Sequence, residues 1–283
     1  MSEEVILFHP REQQLEIHRA LQKARFGVVV CHRRMGKTVL AVNELIRSAI
    51  TCDGERPRFG YLAPTYTQGK STAFDYLRAY SADIDGSVVN QSELRVDFAF
   101  NQSQVRIYGA DNPDSLRGLY FDGVVLDEHG LHQARTFTEV VLPTLVDRGG
   151  WALIMGTPNG KNQFYDMAER AKKEEAAGNP DWFFKEFKAS DTKLLDGDPY
   201  LGQARGLMTP DEYAQEFECS FEAAVKGAIY SKELEAARAE KRITVVPYDP
   251  ALPVDTDWDL GIGDAMAIWF SQSTRGGEVR LID

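Results

Sequence analysis

From residue 12 to about residue 160, short apolar runs alternate with stretches whose apolar residues recur at helical spacing. That rhythm predicts α/β layering around a mainly parallel sheet. Residues 12–24 follow Pro10 and carry Leu15, Ile17 and Leu21 as the apolar positions of a helix. The run 26–31 is valine-rich and short, as a strand buried on both faces should be. Residues 38–50 then present Val39, Val42, Leu45, Ile46 and Ile50, so strand, loop and helix come in order. Further strands are predicted at 59–63, 124–126 and 151–155, and a helix near 68–80. Residues 94–100 and 104–108 alternate in polarity across a short polar turn and read as a hairpin.

The pattern changes after Gly160. A charged helix is predicted at 163–177, then a break at Gly178-Asn179-Pro180, an aromatic run at 182–187 and an acidic segment at 191–200. These read as a subdomain appended to the sheet. Helices at 210–217 and 232–241 lead to the proline-containing stretch 247–253, the clearest boundary in the chain. Beyond it, 254–260, 265–271 and 278–282 predict a three-strand meander. The expected division is 1–160, 161–245 and 246–283.

Composition narrows the class. With 43% hydrophobic and 27% charged residues among 283, the chain suits globular folding rather than disorder. No apolar run approaches the roughly 20 residues of a bilayer span, and Met1-Ser2-Glu3-Glu4 is acidic where a secretory signal would be basic. An intracellular protein is expected. Cys31, Cys52 and Cys219 have no ligand or disulfide spacing and are expected to be ordinary buried thiols. The net charge of −11 argues against a general nucleic-acid-coating surface. Residues 1–60 nevertheless hold 10 Lys/Arg against 7 Asp/Glu.

The candidate chemistry begins inside that basic segment. Cys31-His32-Arg33-Arg34-Met35-Gly36-Lys37-Thr38 fits the phosphate-binding pattern GxxxxGK[ST], except that Cys31 replaces the first glycine. It follows a strand and opens a helix, which points backbone N–H groups at a polyphosphate. Lys37 would neutralise the terminal phosphates, and Thr38 would ligate Mg²⁺. Arg33 or Arg34 would reach the phosphate, or both would be solvated. Asp127 and Glu128 end the apolar run 124–126. The first suits metal binding and the second suits activation of water. Thr157, in Gly156-Thr157-Pro158, ends another such run and would sense the terminal phosphate. Gln13 or Gln14 offers an amide for adenine. His129-x-x-His132 has chelating spacing, although ordinary core or surface histidines are the commoner source of such a pair. Asp255, Asp257 and Asp259 alternate on one strand face, as a two-metal site or a solvated acidic edge would.

Taken together, Pro-Arg-x-x-Gln, the arginine-containing GKT loop, Ser115-Leu116-Arg117-Gly118, the Asp127-Glu128 pair and Met155-Gly156-Thr157-Pro158 resemble the large terminase subunit of tailed bacteriophages, a genome-packaging motor. The resemblance spans about residues 8 to 283. It implies a P-loop ATPase of the additional-strand catalytic-glutamate type, a small lid subdomain and the start of an RNase H-like nuclease. It implies that Gln14 reads adenine, that Arg33 is the in-loop arginine, and that Lys37, Thr38, Asp127 and Glu128 form the two Walker motifs. Arg117 matches the arginine that completes a neighbouring subunit's site, and Glu216 to Phe221 match the end of the lid. Asp257 matches the first nuclease metal ligand. About thirty residues cannot form an RNase H-like fold, so a chain stopping early in that domain, without nuclease activity, is expected.

The resemblance further implies ATP with Mg²⁺, and Mg²⁺ or Mn²⁺ for a complete nuclease. Expected partners are double-stranded viral DNA, the portal protein and procapsid, and the small terminase subunit. The subunit is expected to be monomeric alone and a homo-oligomeric ring when assembled, in the host cytoplasm, away from membranes. A superfamily-2-like helicase shares the loop and the carboxylates, but usually carries a second motor domain. A non-catalytic, nucleotide-gated scaffold docking on a portal is the remaining alternative.

Overall fold

The structure is a computed structural model that describes residues 8–222, 231–259 and 267–282. The chain divides into two compact units, Met1–Val225 and Lys226–Asp283. In the first unit, α1 (Glu12–Leu21) precedes β1 (Phe26–Cys31), α2 (Lys37–Thr51), β2 (Arg58–Ala63) and α3 (Tyr66–Ser81). Three strands come next: β3 (Ser87–Asn90), β4 (Arg95–Phe98) and β5 (Ser103–Gly109). After β6 (Gly123–Leu126), a widened helical turn over Thr136–Val141 runs into α4 (Leu142–Val146). The unit continues with β7 (Trp151–Gly156), α5 (Gln163–Ala176) and β8 (Trp182–Phe187), then α6 (Ala189–Thr192), α7 (Pro199–Leu207) and α8 (Pro210–Phe217).

Eight strands form one sheet in the order β3-β4-β5-β2-β6-β7-β1-β8. All pairs from β5 to β8 are parallel, and the β4–β5 hairpin with β3 extends one edge antiparallel. Strand β7 lies between β1 and β6, the insertion that the additional-strand expectation requires. Alternation explains why the central strands read as unbroken apolar runs: both faces are covered. Val29, Tyr61, Val125 and Leu153 face α1, α2 and α3, packing with Ile17, Leu40, Leu45 and Leu77. Val28, Leu62, Val124 and Ile154 pack on the other face with Phe137, Val141, Leu145 and Phe164. Because Leu40 is fully buried, Leu40→Ala should cost about 2–5 kcal/mol, read as a lowered denaturant midpoint.

The aromatic run 182–187 corrects the expected organisation. It pairs in parallel with β1 as the edge strand β8, so it belongs to the sheet rather than to an appended subdomain. Gly27 makes this possible, since a Cβ there would lie 2.2 Å from the Phe183 ring. The segment after β8 has a small core of its own, with Ala189, Leu195 and Phe217 packed by Leu201, Met208 and Tyr213. The acidic segment expected over 191–200 contains the start of α7, where Asp198 caps the helix by accepting from the Tyr200 N–H at 2.9 Å. Strand β3 lies outside every predicted element. Cys31 and Cys219 are buried as expected, but Cys52 is only partly covered.

The second unit contains α9 (Ser231–Ala239) and an antiparallel sheet of β9 (Asp255–Asp259), β10 (Ala267–Ser273) and β11 (Val279–Ile282), in the order β11-β10-β9. This is the expected meander; Leu260 and residue 265, the ends of two predicted strands, lie outside the described residues. Among the described residues, no helix is long and apolar enough to cross a membrane.

Candidate phosphate-binding site

Parallel strands bring their carboxyl ends to one edge of a sheet, where ligands of open α/β folds collect. Here that edge receives the residues after β1, β6 and β7, namely the loop 32–36, the pair Asp127 and Glu128, and Thr157. Gly36 caps α2 with φ of +94°, a conformation suited to glycine, and a Cβ there would also stand 2.8 Å from Gln14 Nε2. Lys37 is thereby placed at the start of α2, nine-tenths covered. Its Nζ donates to Thr157 Oγ1 at 3.0 Å and lies 3.3 Å from Glu128 Oε1. Burial works to lower the pKa of its ammonium group, but the negative groups around it, Glu128 and Asp127 among them, outweigh burial and raise it.

Asp127 continues β6, its N–H bonded to the Leu62 carbonyl at 2.9 Å. Its carboxylate accepts the Tyr61 hydroxyl on Oδ2 and the Glu128 N–H on Oδ1 at 3.1 Å. Burial, then the Glu128 charge, pushes the Asp127 carboxyl up to about 6. Glu128 turns into the left-handed region, φ +49° and ψ +48°, which is uncommon for a non-glycine residue. The turn aims its carboxylate across the edge, where Oε2 accepts the Thr157 N–H at 3.1 Å.

The donors suit magnesium. Thr38 and Asp127 supply a hydroxyl and a carboxylate, hard oxygen ligands, and burial together with the neighbouring Glu128 charge raises the Asp127 carboxyl, a cost that a bound cation would offset. Among the described residues, no group of three or more His, Cys, Asp or Glu side chains gathers as a metal site. A cation at this edge would therefore take the rest of its oxygens from phosphate and water.

The loop arginines and the upstream glutamine are placed differently from expectation. Arg33 Nε lies 2.5 Å from Glu216 Oε2, and its N–H donates to the Glu216 carbonyl at 2.9 Å. Arg34 donates to Asp198 Oδ2 at 2.6 Å, and His32 Nε2 meets Thr192 Oγ1 at 3.0 Å. All three consecutive side chains thus hold α6, α7 and α8 instead of standing free. Gln14 is buried while Gln13 is partly exposed, so Gln14 is the amide at the loop. Both of its ends are engaged: Nε2 donates to the Gly36 carbonyl at 3.1 Å, and Oε1 accepts the Arg11 N–H at 2.9 Å. Arg11 also donates to the carbonyl of Met35, whose own side chain is buried.

Residues 32–237 match the family described as terminase large subunit, T4likevirus-type, N-terminal. The chain belongs to that family. The terminase large subunit of Thermus phage G20c is 29% identical over 248 residues, covering 77% of this chain and 50% of the relative. This terminase chain thus spans about half the length of the curated relatives it matches. The large terminase ATPase domain of Thermus phage P74-26 superposes with a TM-score of 0.62 at 25% identity, over 76% of this chain and 94% of that one. The large terminase of another thermophilic bacteriophage, solved in complex with ADP, shares the fold at 14% identity and a TM-score of 0.58, covering 96% of this chain and 68% of that one.

In this terminase, Arg117 follows the short helical turn Pro113–Leu116 between β5 and β6 and is half exposed. Its Nε donates to Asp114 Oδ1 at 2.7 Å, while Arg135 grips both oxygens of the same carboxylate, at 3.1 and 2.7 Å. The two arginines hold Asp114 well below the usual carboxylate range. Asp257 stands exposed on β9, paired in register with Trp269 of β10.

Sequence reasoning missed Tyr61, whose only signal was a phenol in a buried strand that needs a partner for its hydroxyl. It also missed the part taken by the histidines. His129 and His132 are buried edge to face, ring centroids 5.2 Å apart, and His132 Nε2 donates to the Asp127 carbonyl at 2.9 Å. Gln163 on α5 donates to the carbonyls of both residues. Burial lowers the two imidazoles from 6.5 to about 3 and about 4. Below about pH 6.5 the unfolded chain takes up protons that the folded histidines refuse, so stability is lost as pH falls toward 4. Asp127 opposes this, because its raised carboxyl binds a proton in the folded chain first. Two imidazoles against one carboxyl leave a net loss on the order of 1–2 kcal/mol per pH unit. Denaturant midpoints of the metal-free protein should be lower at pH 5 than at pH 7; equal midpoints would contradict neutral, buried histidines.

Proposed function

We propose that this chain binds ATP with Mg²⁺ and hydrolyses it as the motor domain of a viral DNA-packaging terminase. The observation that carries the reading is the convergence of Lys37, Glu128 and Thr157 within 3.0–3.3 Å at the end of three parallel strands, with Asp127 and Thr38 as the chain neighbours of Glu128 and Lys37. The loop N–H groups and the start of α2 favour an anion at this place. A terminal phosphate would take Lys37 from Glu128, leaving that carboxylate to accept the proton of an attacking water. Thr157, bonded to both Lys37 and Glu128, would then register whether the phosphate is present. When bound, Mg²⁺ offsets charge on the phosphate oxygens, with Thr38 and Asp127 as its protein ligands.

The segment from α6 to α8 serves in this reading as a lid, narrower than the expected 161–245, attached to the loop through Arg33 and Arg34. Arg33 would leave Glu216 for phosphate. Gln14 braces the loop, and its contact with adenine would require release from Gly36. Arg117 would act on the neighbouring subunit's nucleotide. Double-stranded DNA, a portal and procapsid, a small subunit, a ring assembly and a cytoplasmic site of action belong to the same proposal. A metal-dependent nuclease using Asp257 belongs to a longer chain. The test is nucleotide binding and ATP turnover by the purified chain, with and without Mg²⁺. Lys37→Ala should abolish both; turnover unaffected by that substitution would refute the proposal.

A further inference from the structure

Tyr61 sits at the middle of β2 with no exposed surface, in register with Ile107 of β5 and Val125 of β6. Its ring belongs to the apolar layer under α2, where a phenylalanine would fill the same volume. A buried hydroxyl is costly unless it is bonded, so this one needs an account.

Resting on the nucleotide reading above, we propose that Tyr61 is a positioning residue that orients the Asp127 carboxylate toward the divalent cation accompanying the nucleotide. The direction of each hydrogen bond is set by the inventory of donors. An ionised carboxylate only accepts, so the Tyr61 O–H donates to Asp127 Oδ2. Asp127 Oδ1 is meanwhile fixed by the Glu128 N–H. Each carboxylate oxygen thus carries one protein donor and keeps acceptor capacity for a cation or its water. The Tyr61 hydroxyl bonds the metal-facing Asp127 carboxylate, whereas the phosphate-facing Lys37 donates to Thr157, so the effect of Tyr61 should appear through the metal.

The experiment measures affinity for a fluorescent, non-hydrolysable ATP analogue with Mg²⁺ and with EDTA, and Mn²⁺ occupancy by electron paramagnetic resonance in the presence of that analogue. Wild type and Tyr61→Phe are compared. Tyr61→Phe should weaken metal-dependent binding about 10- to 100-fold, as loss of a group orienting a ligand does, with unchanged affinity in EDTA. Equal losses with and without metal would assign Tyr61 to structure only and overturn the inference. Unchanged metal dependence would overturn it too. If the wild-type chain binds no nucleotide in either condition, the ATP reading fails and takes this inference with it.

Discussion

Glu128→Gln is expected to slow ATP turnover by on the order of 10²–10⁴-fold while nucleotide stays bound, the signature of a lost general base. Glutamine preserves the shape of the side chain and still offers an oxygen to the Thr157 N–H, now 3.1 Å from the carboxylate. It removes the negative charge 3.3 Å from Lys37. Nucleotide affinity should therefore hold or rise, since phosphate no longer competes with a carboxylate for that ammonium. Equilibrium binding and single-turnover rates separate the two effects. Turnover within a few-fold of wild type would remove Glu128 from catalysis.

Arg117→Ala should leave the isolated chain folded and able to bind nucleotide, because the side chain is half exposed and Asp114 keeps Arg135 as a bidentate partner. In an assembled ring its loss should cost about 10³–10⁵-fold in turnover, the range of an arginine supplied in trans. Mixing Arg117→Ala with Glu128→Gln protein should restore part of the rate, since interfaces then form in which one subunit brings the base and its neighbour the arginine. No recovery under assembling conditions would place Arg117 outside the reaction. The wild-type chain alone should hydrolyse ATP slowly for the same reason.

Much of the fold is legible in the sequence because its signals are local. The run Phe26–Cys31 and the GKT after it specify strand, loop and helix within a dozen residues, and the carboxylates at 127 and 128 end a run too short and too apolar to be anything but a buried strand. Strand β8 reads as part of an appended subdomain, because an aromatic run does not announce that it joins a sheet or at which edge. Its partner is set by the gap that Gly27 leaves for Phe183, more than 150 residues earlier in the chain. The helix at 199–207 is hidden by its acidic, proline-led start, although Asp198 before Pro199 is itself a capping signal.

The sequence alone determined that a phosphate loop and two acidic residues would end neighbouring parts of a parallel α/β sheet, since apolar periodicity and backbone preference act between residues close in the chain. Tertiary structure alone decided how those groups are occupied. Lys37 is held by Glu128 and Thr157, Arg33 by Glu216, Arg34 by Asp198, Gln14 by the Gly36 carbonyl of the loop, and Asp127 by Tyr61. Each of these pairs joins distant positions, and a buried or half-buried polar group bonds whichever partner the folded chain brings within reach.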